Sequence, residues 1–419
     1  MFGFGLLKKS TPRGERSRYV GIDLSSTRMR AIAAGDGRTR ALALDGDFED
    51  LPMTVTLDRR TAEVGRTALD MLRKSPHSVC SNYLALVGRT HEWRGPKLTL
   101  KPETAVQLSL DKIQPAVVAE SDAAGLALPS YLSTIQVQKI NELASVAKLP
   151  IRGTVSAALA IAAHRAAFVL APKNQPIQAT TDDEDPTAVV PLRDGTPGSG
   201  AVLLIDVDDY ALNASVLLVT PAEVRVHATG LWPHASLRVW KDRLIDSISD
   251  RCVRLCRRDP RDNGESEQLL YEDLESVLDA ARQRQTSRIS VRAAHWYQDL
   301  QLTPEDVETW TQPILNIALD QLRQFLQASA LPATPRAVWL SHTAGRLPGL
   351  AAKMFKHSPE HTTISILPVN AAAEAAASLV PRWLTGTMPR GHLDSSIPLE
   401  RAVPTSSARP SATIGKPRK

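Results

Sequence analysis

The sequence predicts an α/β fold in two lobes, on three observations. Two apolar strand pairs around polar turns stand far apart in the chain, at residues 19–24 with 29–34 and at residues 202–205 with 214–219. Helical apolar stripes are interspersed with them, at residues 133–148, 156–170 and 236–256. At 419 residues, 43% of them hydrophobic, the chain can bury a large core and divide it in two.

Each element has its own signal. Residues 45–57 continue the first hairpin as strand and loop, and residues 62–72 begin a helical pattern. In 133–148 the expected stripe is Ile135, Ile140, Leu143, Val146 and Ala147, ended at Leu149 because the residue before Pro150 avoids helical geometry. Residues 156–170 read as one alanine-rich helix buried against a sheet. Residues 171–199 hold five prolines and four consecutive acidic residues, which predicts a disordered loop between the lobes at 173–199. The helix at 236–256 places Leu237, Trp240, Leu244, Ile248, Cys252 and Leu255 on one face. A second helix follows near 267–283. Thr303, Pro304, Glu305 and Asp306 make a helix start, and Pro313 is expected to split residues 307–327 into two helices. Residues 337–340 read as a buried strand, and residues 386–419, rich in Pro, Ser and Arg, as a disordered basic tail.

Composition narrows the functional classes. No apolar run reaches the ~18 residues of a membrane helix; residues 157–170 come nearest but contain His164 and Arg165. The start is too short in apolar residues for a secretory signal, and three cysteines imply no disulfide framework, so a cytoplasmic location is expected. The formal net charge is +5, but residues 1–18 (a basic leader, expected to be disordered) carry five Lys or Arg against one Glu, and the tail carries six against two acids. The body between is therefore net acidic and has no compositional claim on nucleic acid. The basic tails leave contact with nucleic acid or an anionic membrane as an alternative to plain solvated tails.

Seven segments in one order carry a family resemblance: GIDLSST (21–27), VGRTA (64–68), ALVGR (85–89), residues 127–160, the strand pair around Asp206, AVWLSHTAGRLPGL (337–350) and PVNAAAEAAASLV (368–380). Over residues 19–384 the chain resembles the nucleotide-binding domain of the seventy-kilodalton heat-shock chaperones (DnaK-like), in the actin-like ATPase superfamily. The resemblance implies two lobes around a deep cleft, with a helical subdomain inserted in the second. Lobe I would span 19–172 and 368–385, and lobe II 200–367. The family's peptide-binding domain and lid have no counterpart in the sequence, so a self-contained refolding chaperone is not expected.

By the same resemblance, Asp23, Ser26, Thr27, Asp206 and Ser287 are the candidate nucleotide-binding positions. The rest of the pattern departs from the family. Leu84 stands where the phosphate-contacting lysine would be, Gly153 where a carboxylate positions the attacking water, and Ser25 where the first turn has glycine. Asp208, Asp209 and Tyr210 replace three glycines of the second phosphate turn, and His342-Thr343 replaces a glycine pair. Ala280 and Gln283 fall near the residues that bracket the adenosine. Glycine matters in such turns because only backbone N–H groups approach a phosphate closely. A carboxylate ~4 Å from a phosphate oxygen repels it by roughly 4 kcal/mol at an effective dielectric near 20.

The leading expectation is therefore a non-hydrolysing pseudo-ATPase that binds no cofactor and acts on a protein partner as a scaffold. Alternatives are a divergent ATPase using ATP or ADP with Mg²⁺, or an actin-like cell-envelope assembly protein. Lesser motifs point elsewhere and are set aside. Asp206, Asp208 and Asp209 read as a solvated turn rather than a metal site. Residues 357–361 spell an inverted zinc-protease signature, but Pro359 breaks the helix that chemistry needs. Cys252 and Cys256, one helical turn apart, read as small buried residues rather than ligands.

Overall fold

The computed structural model describes residues 19–171, 199–331, 334–359 and 362–399. The expected disordered leader, and nearly all of the acidic loop, lie outside these residues. So do the last twenty residues of the tail, together with Glu360 and His361 of the inverted zinc signature.

The chain is mixed α/β, built on two large mixed sheets with one shared plan. In the first, Tyr19–Leu24, Arg28–Gly35 and Arg38–Ala41 form an antiparallel meander. Ala124–Leu128 then pairs in parallel with Tyr19–Leu24, and Ile151–Ser156 in parallel with Ala124–Leu128. In the second, Gly200–Val207, Leu212–Val219 and Glu223–Trp232 form the meander. Ala337–Leu340 and Thr363–Ile366 extend it in parallel from the first strand. Helices fall at matching places: Pro102–Glu120, Thr134–Val146 and Ala157–His164 in the first half, Pro304–Ala328, Leu350–His357 and Ala371–Leu384 in the second. The second half also carries Leu237–Cys256, Gly264–Arg282 and the hairpin Ser287–Ala293 with Trp296–Leu302, all inserted after its meander.

The closing helices of the two halves exchange places. Ala371–Leu384 lies on the first sheet and against Ala157–His164, which packs on the meander of the second. Three glycines make this close fit. Gly21, Gly125 and Gly153 stand side by side across three parallel strands. A Cβ on Gly21 would sit 1.8 Å from the backbone oxygen of Ala373, and one on Gly153 would sit 2.2 Å from the Trp383 ring.

Local chemistry accounts for the helix limits. Ser133 with Gln136, and Thr303 with Asp306, form reciprocal capping boxes, satisfying N–H groups that have no partner inside the helix. Six expectations are corrected. Helix Pro304–Ala328 runs unbroken through Pro313, because burying Val307, Leu315, Ala318 and Leu322 outweighs the roughly 3 kcal/mol that an internal proline costs. In Thr134–Val146 the buried face is Val137, Ile140 and Ala144, whereas Ile135 and Val146 are 74% and 69% exposed. The single helix expected over 156–170 is two, with a break at Arg165. Within 62–72 only Arg66–Leu69 is helical, and it starts after Gly65, whose φ of 96° lies outside the helical region. The tail is structured as far as Leu399: His392–Leu393 joins the edge of the first sheet and Ser396–Pro398 the edge of the second. Of the face expected on Leu237–Cys256, only Leu255 lies outside, 60% exposed.

Candidate functional site

Two tight turns face each other where the two sheets' leading strands end. The first turn, residues 25–27, links Tyr19–Leu24 to Arg28–Gly35, and the second, residues 208–211, links Gly200–Val207 to Leu212–Val219. Of the five candidate residues, Asp23, Thr27 and Asp206 line one small cavity of about 70 Å³, with Arg28, His342 and Thr343 on its wall. Ser26 is buried beside it. Ser287 is elsewhere, at the start of the inserted hairpin, and does not line the cavity.

Asp208 decides the geometry of the centre. Its side chain is buried, not the solvated turn residue expected from sequence. One carboxylate oxygen accepts the N–H groups of Tyr210 (2.9 Å) and Ala211 (3.0 Å), the local bonding that suits aspartate to a turn. The other reaches across to the opposite turn. There it accepts the Ser26 N–H (3.1 Å) and the Tyr131 hydroxyl (2.6 Å), which is itself hydrogen-bonded to Ser26 Oγ (2.7 Å). The amides of both turns thus converge on a carboxylate supplied by the chain itself. Further bonds cross the same gap: Asp209 N–H to Thr27 Oγ1 (2.9 Å), Asn82 to the Asp209 carbonyl (3.3 Å) and Arg28 to Thr343 Oγ1 (3.1 Å).

The centre is crowded with negative charge. Burial, then the neighbouring Asp206, raises Asp23 from 3.8 to about 7, against the opposing pull of Arg28 and Arg30. Burial raises Asp208 to about 6 despite its hydrogen bonds, and it raises Asp206 and Asp209 as well. His342, half-buried and close to Arg28, falls to about 4 through desolvation and the nearby cation, and is neutral at pH 7. Among the described residues no three His, Cys, Asp or Glu side chains are grouped to hold a metal ion.

The positions where family residues are replaced have structural uses of their own. Leu84 is buried in the first core. A side chain at position 153 would point at Trp383, so no carboxylate there could reach the cavity. Tyr131, Arg28, Asn213 and Ser341 complete the centre but were not singled out in the sequence. Asn213 and Ser341 line the same cavity as Asp206. Their polarity within apolar strand patterns was the available signal, whereas Tyr131 gave none of its own.

No family model matches the chain, and a search of curated proteins finds no match.

Proposed function

We propose that the chain is a non-hydrolysing relative of the heat-shock-70 nucleotide-binding domain, with the actin-like ATPase fold, and that it serves as a cytoplasmic binding or scaffold protein for a protein partner. The twice-used meander, the exchange of closing helices and the inserted helical segment support the fold reading. The observation that carries the functional reading is Asp208. Its carboxylate takes the backbone N–H groups that a phosphate would otherwise engage, so the turns are joined without a ligand.

Two magnitudes support it. Small-molecule pockets span roughly 300–1,000 Å³, and the cavity at Asp23 and Asp206 holds about 70 Å³, room for a water or two. A phosphate brought within ~4 Å of an ionised carboxylate of Asp23, Asp206 or Asp208 meets about 4 kcal/mol of repulsion per charge pair at an effective dielectric near 20. Phosphoryl transfer relies on positioning and electrostatic stabilisation, and both oppose a phosphate here. Calorimetric and thermal-shift titration with Mg-ATP and Mg-ADP tests the proposal. No binding up to millimolar nucleotide is expected, and micromolar affinity would overturn it.

A further inference from the structure

A cavity of about 320 Å³ lies on the second sheet and shares no lining residue with the one at Asp23 and Asp206. The sheet contributes Leu203 and Val338, which pair across adjacent strands. Helix Pro304–Ala328 contributes Leu319, Leu322 and Leu326, and helix Leu350–His357 contributes Met354. We infer that this trough binds a medium-chain aliphatic carboxylate, with its tail along the leucines and its head at Arg323.

The lining selects the tail. Close-packed interiors leave few voids larger than a water molecule, and this one has the volume of a small-ligand site. Six of its residues are Leu, Val or Met, so water inside would find few hydrogen-bond partners, and apolar content fits better. Leu319, Leu322 and Leu326 run along two turns of one helix, roughly 10 Å at ~1.5 Å per residue. A trough of that length suits an extended chain rather than a compact ring. Met354, unbranched and adaptable, packs against tails of differing length.

Charge selects the head. Among the described residues no acid lines the cavity, and the charged residue that does is Arg323. Its Nη1 donates to Asp320 at 3.1 Å, whereas Nε and Nη2 make no hydrogen bond to a described residue. Both partners of that pair are well over half exposed, so the pair is weak and leaves the fork open to a second carboxylate. The balance around the trough is positive even with Asp320 counted. Helix Leu350–His357 carries Lys353 and Lys356 and no acid. The remaining polar lining is Ser358 and Thr362, and the Thr362 hydroxyl already donates to the Pro335 carbonyl (2.8 Å).

This inference does not rest on the pseudo-ATPase reading. Calorimetry on the full chain with octanoate, decanoate and dodecanoate, each below its micelle concentration, tests it. Decanol and decyltrimethylammonium carry the same tail on a neutral and a cationic head. Saturable one-to-one binding of decanoate is expected, with affinity rising about fourfold per added methylene until the trough is full. Decyltrimethylammonium should bind roughly tenfold more weakly or worse. Arg323→Gln, at an exposed position, should weaken decanoate about tenfold and leave decanol unchanged. Leu326→Trp, which fills the trough at a half-buried position, should weaken every ligand. The inference is overturned if decanoate does not saturate, if affinity ignores chain length, if the cationic amphiphile binds as well, or if either variant binds decanoate as the wild type does. A wild-type dimer that Leu326→Trp converts to a monomer would also overturn it, because a second copy would then occupy the trough.

Discussion

Replacing Asp208 by alanine removes the group on which both turns converge. Four donors lose their acceptor: the N–H groups of Ser26, Tyr210 and Ala211, and the Tyr131 hydroxyl. A hydrogen bond to a charged group contributes roughly 1.5–3 kcal/mol net, so the gross loss is at least about 6 kcal/mol. Part is recovered, because the carboxylate is itself costly to bury. Its rise from 3.8 to about 6 corresponds to about 3 kcal/mol at ~1.4 kcal/mol per pH unit. The expected net destabilisation is about 3 kcal/mol at pH 7, and about 1 kcal/mol for Asp208→Asn, which keeps one acceptor and the shape. Urea denaturation measures this, and hydrogen exchange locates it, with faster exchange expected at residues 25–28 and 208–211 together. If Asp208→Ala stays within ~0.5 kcal/mol of wild type and leaves exchange at residues 25–28 unchanged, the bridge does not hold the turns and the argument fails.

Stability should also fall as pH rises from about 5 to about 7.5. Asp23 and Asp208 keep their protons to about 7 and about 6 when folded, against 3.8 otherwise, so over that window the folded chain binds more protons than the unfolded one. Asp23→Asn should flatten the melting temperature against pH and raise it at pH 8; a wild-type profile that climbs toward pH 7.5 contradicts this. Gly21→Ala should cost at least about 3 kcal/mol or prevent soluble expression, because the obstacle to the new methyl is backbone rather than a side chain that can turn aside. Truncation after Gly386 removes Met388, Leu393 and Ile397 from the core and bares an edge of each sheet. At ~1.5–3 kcal/mol per buried side chain, a loss of roughly 5 kcal/mol is expected, with aggregation visible in light scattering. Glu275→Gln should destabilise by about 3 kcal/mol, since Lys241 and Arg346, both nearly buried, would lose their shared carboxylate.

Elements whose signal is local were legible in the sequence. The two meanders, the start at Thr303 and the face of Leu237–Cys256 follow from alternation, capping and periodicity. Where the structure differs, tertiary burial overrules a local rule, as at Pro313, or the expected stripe takes in exposed positions, as Ile135 and Val146 in Thr134–Val146. Helix Pro102–Glu120 has a local signal as well, since Ala105, Val106, Leu110, Ile113 and Val117 repeat at helical spacing behind a proline at its first turn. The structured end of the chain gave little sign, because His392–Leu393 and Ser396–Pro398 are strands only through the edges they complete. The substitutions at 208–210 were visible, but their consequence was not. An aspartate in a turn ordinarily means a solvated carboxylate, and only the opposing turn, 182 residues earlier, makes it a bridge.

The helix that covers Gly21, Gly125 and Gly153 has a consequence for how the protein is made. The strand at Gly21 leaves the ribosome long before its cover, because Ala373 follows about 350 residues later. At ~5–20 residues per second, that strand waits roughly 20–70 s for its cover. Until then a row of bare glycines and the apolar side chains around it face the cell. The first sheet therefore cannot mature as an independent unit during synthesis, and a chain stalled before Ala371 would display that uncovered face to any quality-control factor that reads exposed sheet.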